Sequence, residues 1–220
     1  MRIFAYDGPL NQFIIKLVDC FFISLLWLIA SIPIITAGAS TVALYFTVNK
    51  VVRQEEGGVW KTFWRAFFRD FWQATGIWVI LLLFYTASLA SYSAIRGMGL
   101  GGVSKGLLIT AVLMVTLWTQ YWYPYLSRFE DTTRTLWRNT LVMLLLDFFR
   151  SVKLLVLLIL CFIVAVLAFV YAPFLLFLLP AVYVFVGNRT VDKVFAKYIP
   201  APEAESAEET EEVEETEEND

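Results

Sequence analysis

Chemistry in a folded chain begins with nucleophiles, metal ligands and titratable groups at workable spacings, and this sequence has few. It contains no histidine, which removes the commonest metal ligand and the side chain best placed to titrate near neutral pH. Its two cysteines, Cys20 and Cys161, each sit alone in an apolar run and read as small packing residues. Asp19 and Asp147 are the acids read as lying near long apolar stretches, and each has a basic residue three positions away, Lys16 and Arg150. That spacing predicts ion pairs along a helix rather than catalysis. No phosphate-binding glycine loop, HExxH pair, nucleophile elbow or pair of carboxylates at helical spacing occurs. The sequence therefore predicts no enzyme, no cofactor and no metal site.

One spacing does carry chemistry, of an interfacial kind. Placed on a helix, Trp60, Phe63, Trp64, Phe67, Phe68, Phe71 and Trp72 fall on one face. Lys61, Arg65 and Arg69 run along another at intervals of four. Glu55, Glu56, Gly57 and Gly58 precede them as a flexible, acidic start. An aromatic face beside a basic one suits a helix lying among the headgroups of an anionic leaflet. The alternative is an amphipathic helix packed on a soluble core; the apolar run beginning at Ala74 favours the membrane. A second stretch, 126–150, has related character. Glu130, Arg134 and Arg138 are four apart and can pair along one face, with Trp137 among the apolar residues of another. Both stretches are candidate membrane-interface or partner surfaces.

These stretches are positioned by long apolar segments. Hydrophobic residues make up 59% of the 220, the mean hydropathy is +0.68, and the apolar residues come in blocks. That is the composition of an all-α, polytopic helical membrane protein. About six transmembrane helices are expected, plus one or two cytoplasmic interfacial helices. The first runs from Leu10 into the apolar stretch Cys20–Ile35. Pro33 then ends it, Gly38 turns the backbone, and Ser40 or Thr41 caps a second helix reaching Arg53. These two are short: they either span with local thinning or form a re-entrant hairpin. Ala74–Ile95 and Gly106–Tyr125 are full-length spans separated by a glycine-rich loop, with small residues (Ala87, Ala90, Ser91, Ala94) spaced for close packing. The 33 apolar residues of Leu154–Val186 are too many for one span and divide near Pro173, again with a short second member over 172–187. The polar side chains expected deep in the bundle are uncharged, among them Ser24, Ser31, Thr41, Thr116 and Gln120.

The charges are segregated. From Glu203 onward the chain holds 11 of its 20 acidic groups and no basic one, so residues 200–220 read as a disordered acidic tail beyond a membrane domain at 1–199. With six spans, one side collects fifteen of the seventeen basic residues and the other only Arg96 and Lys105. The positive-inside rule then places both termini in the cytoplasm. The implied partner is a bilayer with an anionic inner leaflet, and no nucleic acid is expected. A weak internal repeat joins Glu55-Glu56, Trp64-Arg65 and Phe67-Phe68-Arg69 to Glu130-Asp131, Trp137-Arg138 and Phe148-Phe149-Arg150, at unequal offsets.

Four stretches together carry a family resemblance: Asp7-Gly8-Pro9, SIPIITAGAS at 31–40, VRQEEGGVWKTFWRAFFRDFWQAT at 52–75, and YPYLSRF at 123–129. Over about residues 1–198 the chain resembles the YesL family of bacterial integral membrane proteins, found mainly in Gram-positive organisms. The resemblance implies a polytopic protein of the cell membrane. It also implies an association with carbohydrate uptake transporters and polysaccharide-degrading enzymes, whose genes its members often neighbour, and supplies no catalytic residues. The expected function is a non-enzymatic accessory or scaffold to a sugar ABC importer or another membrane protein. The alternative is a small facilitative transporter or channel for a neutral solute, with the broken helices near 31–41 and 172–181 lining the path.

Overall fold

In the computed structural model, which describes residues 9–98 and 102–198, every regular element is helical. Helix α1 (Pro9–Ala30) leads through a 3-10 turn at Ile34–Thr36 to α2 (Ala37–Thr47), which continues as a π-helical segment, Val48–Arg53. The short α3 (Val59–Arg69) abuts the long α4 (Phe71–Gly97), followed by α5 (Gly102–Leu126). The short α6 (Thr133–Leu146) abuts α7 (Phe148–Tyr171), and a 3-10 turn at Pro173–Phe177 leads to α8 (Leu179–Tyr198). The architecture is three helical hairpins, α1/α2, α4/α5 and α7/α8, strung together by the two short helices.

Among the described residues, four segments are long and apolar enough to cross a membrane: Ile34–Arg53, α4, α5 and α7. Their surfaces agree. Only 11% of the most apolar stretch of α7 is buried, and Phe162, Phe169 and Val170 lie open. Such a face is untenable in water and ordinary in lipid. The closely packed core sits instead toward one end, where Phe63, Tyr121, Tyr125, Leu136 and Met143 are completely enclosed.

Each short helix ends at an aspartate, Asp70 or Asp147, whose backbone leaves helical geometry before the next helix begins. Aspartate favours such breaks, because its side chain competes with the backbone for hydrogen bonds. Neither carboxylate caps the following helix; each holds a neighbouring cation instead. Asp70 pairs with Arg69 at 2.7 Å, and Asp147 with Arg150 at 3.1 Å, as its spacing predicts. The two breaks are equivalent. Phe63, Ala66, Phe67, Ala74 and Ile77 are buried, and so are Thr140, Met143, Leu144, Ser151 and Leu154, each seventy-seven residues further on. The exposed Phe68 and Trp72 likewise match Leu145 and Phe149. The repeat hinted at in the sequence is real as a packing pattern, in a register set by burial rather than by residue type.

Several local expectations are corrected. Gly38 does not reverse the chain: it lies inside α2, buried against α4, where an added Cβ would stand 2.5 Å from the Ala74 carbonyl oxygen and from Trp78 Cβ. The reversal belongs to Pro33 and the 3-10 turn. The Thr36 hydroxyl lies 2.6 Å from the last carbonyl of α1, at Ala30, and the Trp78 indole donates to the Ile34 carbonyl at 2.6 Å. Ser40 and Thr41 are not caps. They lie within α2, bonded to Ser31 and to the Trp27 indole, because the helix already starts at Ala37. Lys16 pairs not with Asp19 but with Glu55 at 2.8 Å. Ala87, Ala90, Ser91 and Ala94 face outward on the open half of α4. Asp7, Gly8 and the tail 200–220 lie outside the described residues.

Candidate interfacial site

The stretch Glu55–Glu56–Gly57–Gly58 is a built turn rather than a flexible start. Glu55 adopts the left-handed conformation with φ of 60°, and Gly57 follows at 79°. The Glu56 amide donates to the Lys50 carbonyl at 3.0 Å, closing the π-helical segment. Lys16 then holds Glu55, and Lys50 approaches the Glu56 carboxylate at 3.7 Å. The chain is thereby aimed into α3 along α2.

Helix α3 divides the expected aromatic face in two. Phe63 and Phe67, with Thr62 and Ala66, point into the core. Trp60 and Phe68 point out, at 66% and 69% exposure, and Trp64 lies half-buried between them, stacked on Phe68 at 5.8 Å. Beyond the break at Asp70, Phe71 is half-buried while Trp72, at 86%, is among the most exposed large side chains. The outward aromatics border directly on the basic arc of Lys61, Arg65 and Arg69. Going around the helix, one meets core, aromatic arc and basic arc in turn, the order an interfacial helix needs.

Beside the basic arc lies a groove of about 330 Å³, walled by Phe46 and Lys50 of the first hairpin and by Lys61, Arg65 and Arg69. Gly57, Gly58 and Glu130 complete its rim. Arg69 is fixed in place: it pairs with Asp70, approaches Glu130 at 3.6 Å, and sits 4.8 Å above the Phe46 ring. The hydrogen bond to Asp70 holds its guanidinium even further above neutrality than usual. Glu130 therefore does not pair along a helix with Arg134 and Arg138, since it precedes α6 and turns toward α3. Arg134 and Arg138 are exposed, but Trp137 is not an outward anchor. It stacks on Trp122 at 5.7 Å and meets Trp118 edge-on, fastening α6 to α5.

Sequence reasoning missed the junction beneath this site. Asp192 of α8 is gripped by Arg53, which ends the π-helical segment, and by Arg128, which follows α5, the latter at 2.6 Å. Arg53 also donates to Asn49 at 2.8 Å, and Arg128 to the buried Asn188 at 3.2 Å. One carboxylate thus ties together segments from all three hairpins. The signal available was the mismatch of an acid within the basic segment Gly187–Tyr198, with no hint of which cations it would meet.

A second cavity, about 580 Å³, lies between the hairpins. Its walls are mostly apolar and aromatic, and its polar groups are uncharged, among them Thr41, Thr116, Gln120, Tyr45, Tyr123 and Tyr183. The Tyr183 hydroxyl donates to Gln120 at 2.6 Å, and Tyr85 bonds Thr116 at 3.0 Å. The buried Tyr123 hydroxyl lacks a partner among the described residues. Three of the polar residues expected deep in the bundle, Thr41, Thr116 and Gln120, are thereby brought to one place.

These features define a class: an all-helical chain with helices long and apolar enough to cross a membrane, carrying a short aromatic–basic helix at the densely packed end of its bundle. A protein-family model described as "Protein of unknown function, DUF624" matches residues 20–92. The match takes in Pro33, Gly38 and all of α3, and stops within α4. No curated protein and no solved structure matches the chain.

Proposed function

We propose that this chain is a YesL-type accessory protein of the bacterial cytoplasmic membrane, non-enzymatic, serving a carbohydrate importer or a similar membrane assembly. The observation that carries the reading is the outward surface of α3: Trp60, Phe68 and Trp72 exposed beside Lys61 and Arg65, on a helix whose other face is locked into the core. A surface of this kind seats a protein on an anionic leaflet and leaves its cations available to a partner. In this reading all three hairpins cross the bilayer, giving six spans. Helix α1 is long enough, since its 22 residues extend about 33 Å. The basic end faces the cytoplasm with both termini, because the cations of α3, α6 and α8 gather there. Affinity purification of the tagged full chain from native membranes tests it. Importer subunits should co-purify, and a chain recovered without any membrane partner would contradict it.

The cavity of about 580 Å³ favours a second reading, a carrier for a neutral solute. Uncharged hydroxyls and an amide set among aromatic rings suit a ligand without charge. Flux of neutral sugars into proteoliposomes separates the two: uptake that Gln120→Ala abolishes supports the carrier, and absence of uptake leaves the accessory role.

A further inference from the structure

We propose that the groove beside α3 is a binding site for a single anionic phospholipid, with the headgroup phosphate held by Lys61, Arg65 and Lys50. The inference rests on the reading that α3 lies on the inner leaflet, and goes beyond it by replacing a diffuse basic field with one defined site. The first argument is charge. Four cations, Lys50, Lys61, Arg65 and Arg69, wall the groove against one carboxylate, Glu130. Arg69 is committed to Asp70 and Glu130, and Lys50 leans on Glu56 at 3.7 Å. Among the described residues, no carboxylate is within ion-pairing distance of Lys61 or Arg65. Two free cations facing a recess call for an anion from outside, and phosphate oxygens meet both guanidinium and ammonium donors well.

The second argument comes from the repeat. The positions equivalent to Lys61, Arg65 and Arg69 on α6 are Arg138, Val142 and Leu146. The same scaffold therefore packs with two of the three cations replaced by apolar residues, so the fold itself does not require them. The third argument is position. The exposed Trp60, Phe68 and Trp72 place acyl-chain depth immediately beside the groove, so an ester-linked headgroup fits the arrangement better than a soluble anion. The Phe46 ring contributes an apolar wall on the opposite side.

The full chain is reconstituted into nanodiscs of equal parts phosphatidylglycerol and phosphatidylcholine, and retained lipid is counted by native mass spectrometry. The wild type should keep one phosphatidylglycerol in clear preference to phosphatidylcholine. Lys61→Ala/Arg65→Ala should weaken that retention by about thirtyfold, the effect of two surface cations. Arg134→Ala/Arg138→Ala removes the same charge from α6 and should leave it unchanged. The charge-preserving Lys61→Arg/Arg65→Lys pair should retain the lipid. Equal loss in the α6 variant, absence of headgroup preference in the wild type, or loss in the charge-preserving pair would overturn the proposal. So would displacement of the lipid by millimolar inorganic phosphate, which would mark a site for a soluble anion. A spin label at Phe68→Cys reports the underlying reading separately. Shielding from an aqueous relaxing agent places α3 on the leaflet whatever lipid is kept, and full aqueous access removes that reading.

Discussion

Two glycines on helices make opposite demands at the residue scale. Gly38 lets α2 and α4 touch backbone to backbone, with the Ala74 carbonyl where a methyl group would have to go. Gly38→Ala should destabilise the protein by about 1–3 kcal/mol, the usual cost of overpacking, visible as a lower unfolding temperature in detergent. Gly187 is also buried in a helix, but an added Cβ would meet only the Leu154 and Leu157 methyls, at 3.7 and 3.8 Å. Gly187→Ala should be neutral, or stabilising by up to about 1 kcal/mol through helix propensity, in the same assay. Glu55 presents a third case. It holds a left-handed conformation that costs a non-glycine residue roughly 1 kcal/mol. Its ion pair with Lys16 is more than one-third exposed on both sides and worth about 0.2–1 kcal/mol. Glu55→Gly should therefore raise the unfolding temperature slightly, and a drop would show the Lys16 pair to be the stronger term.

The divided aromatic arc of α3 matters most at the scale of elements. Phe63 and Phe67 hold the helix to the core, whereas Trp60, Phe68 and Trp72 contribute little to it. Replacing the outer three with serine should leave unfolding in detergent within about 1 kcal/mol of the wild type, since exposed positions rarely matter more. Quenching of tryptophan fluorescence by brominated lipid in proteoliposomes should fall, because two of the eight tryptophans, Trp60 and Trp72, no longer report from the interface. Unchanged quenching would place α3 away from the lipid. The sequence read much of this level well. Pro33 and Pro173 marked two hairpin turns, and periodicity located α3. It failed where the answer lay in distant partners. The breaks at Asp70 and Asp147 interrupt runs whose periodicity continues across them. Gly38 carries the composition of a turn, and only the position of Ala74 reveals it as a packing contact. The Arg53–Asp192–Arg128 junction joins residues 139 and 64 positions apart, beyond any local pattern. Trp137 and Trp60 stand at equivalent places on α6 and α3, yet one stacks inward on Trp122 and the other points out. Their own spacing could not separate them.

At the level of the whole molecule, three hairpins are drawn together at one basic end. Asp192 joins the hairpins there, the two short helices lie against the core, and the apolar halves of α4, α5 and α7 are left to lipid. The proposed six-span reading makes a definite statement about sidedness. In that reading the end of the α4/α5 hairpin, near Met98, lies outside, across the membrane from the start of α6. Both cysteines of the chain are first replaced with alanine, and single cysteines are then introduced at Met98 and at Thr133, each exposed. Labelling intact cells with an impermeant maleimide tests this sidedness. Met98→Cys should react from outside, and Thr133→Cys only after the cells are opened. Reaction at both sites from outside, or at Thr133→Cys alone, would contradict it.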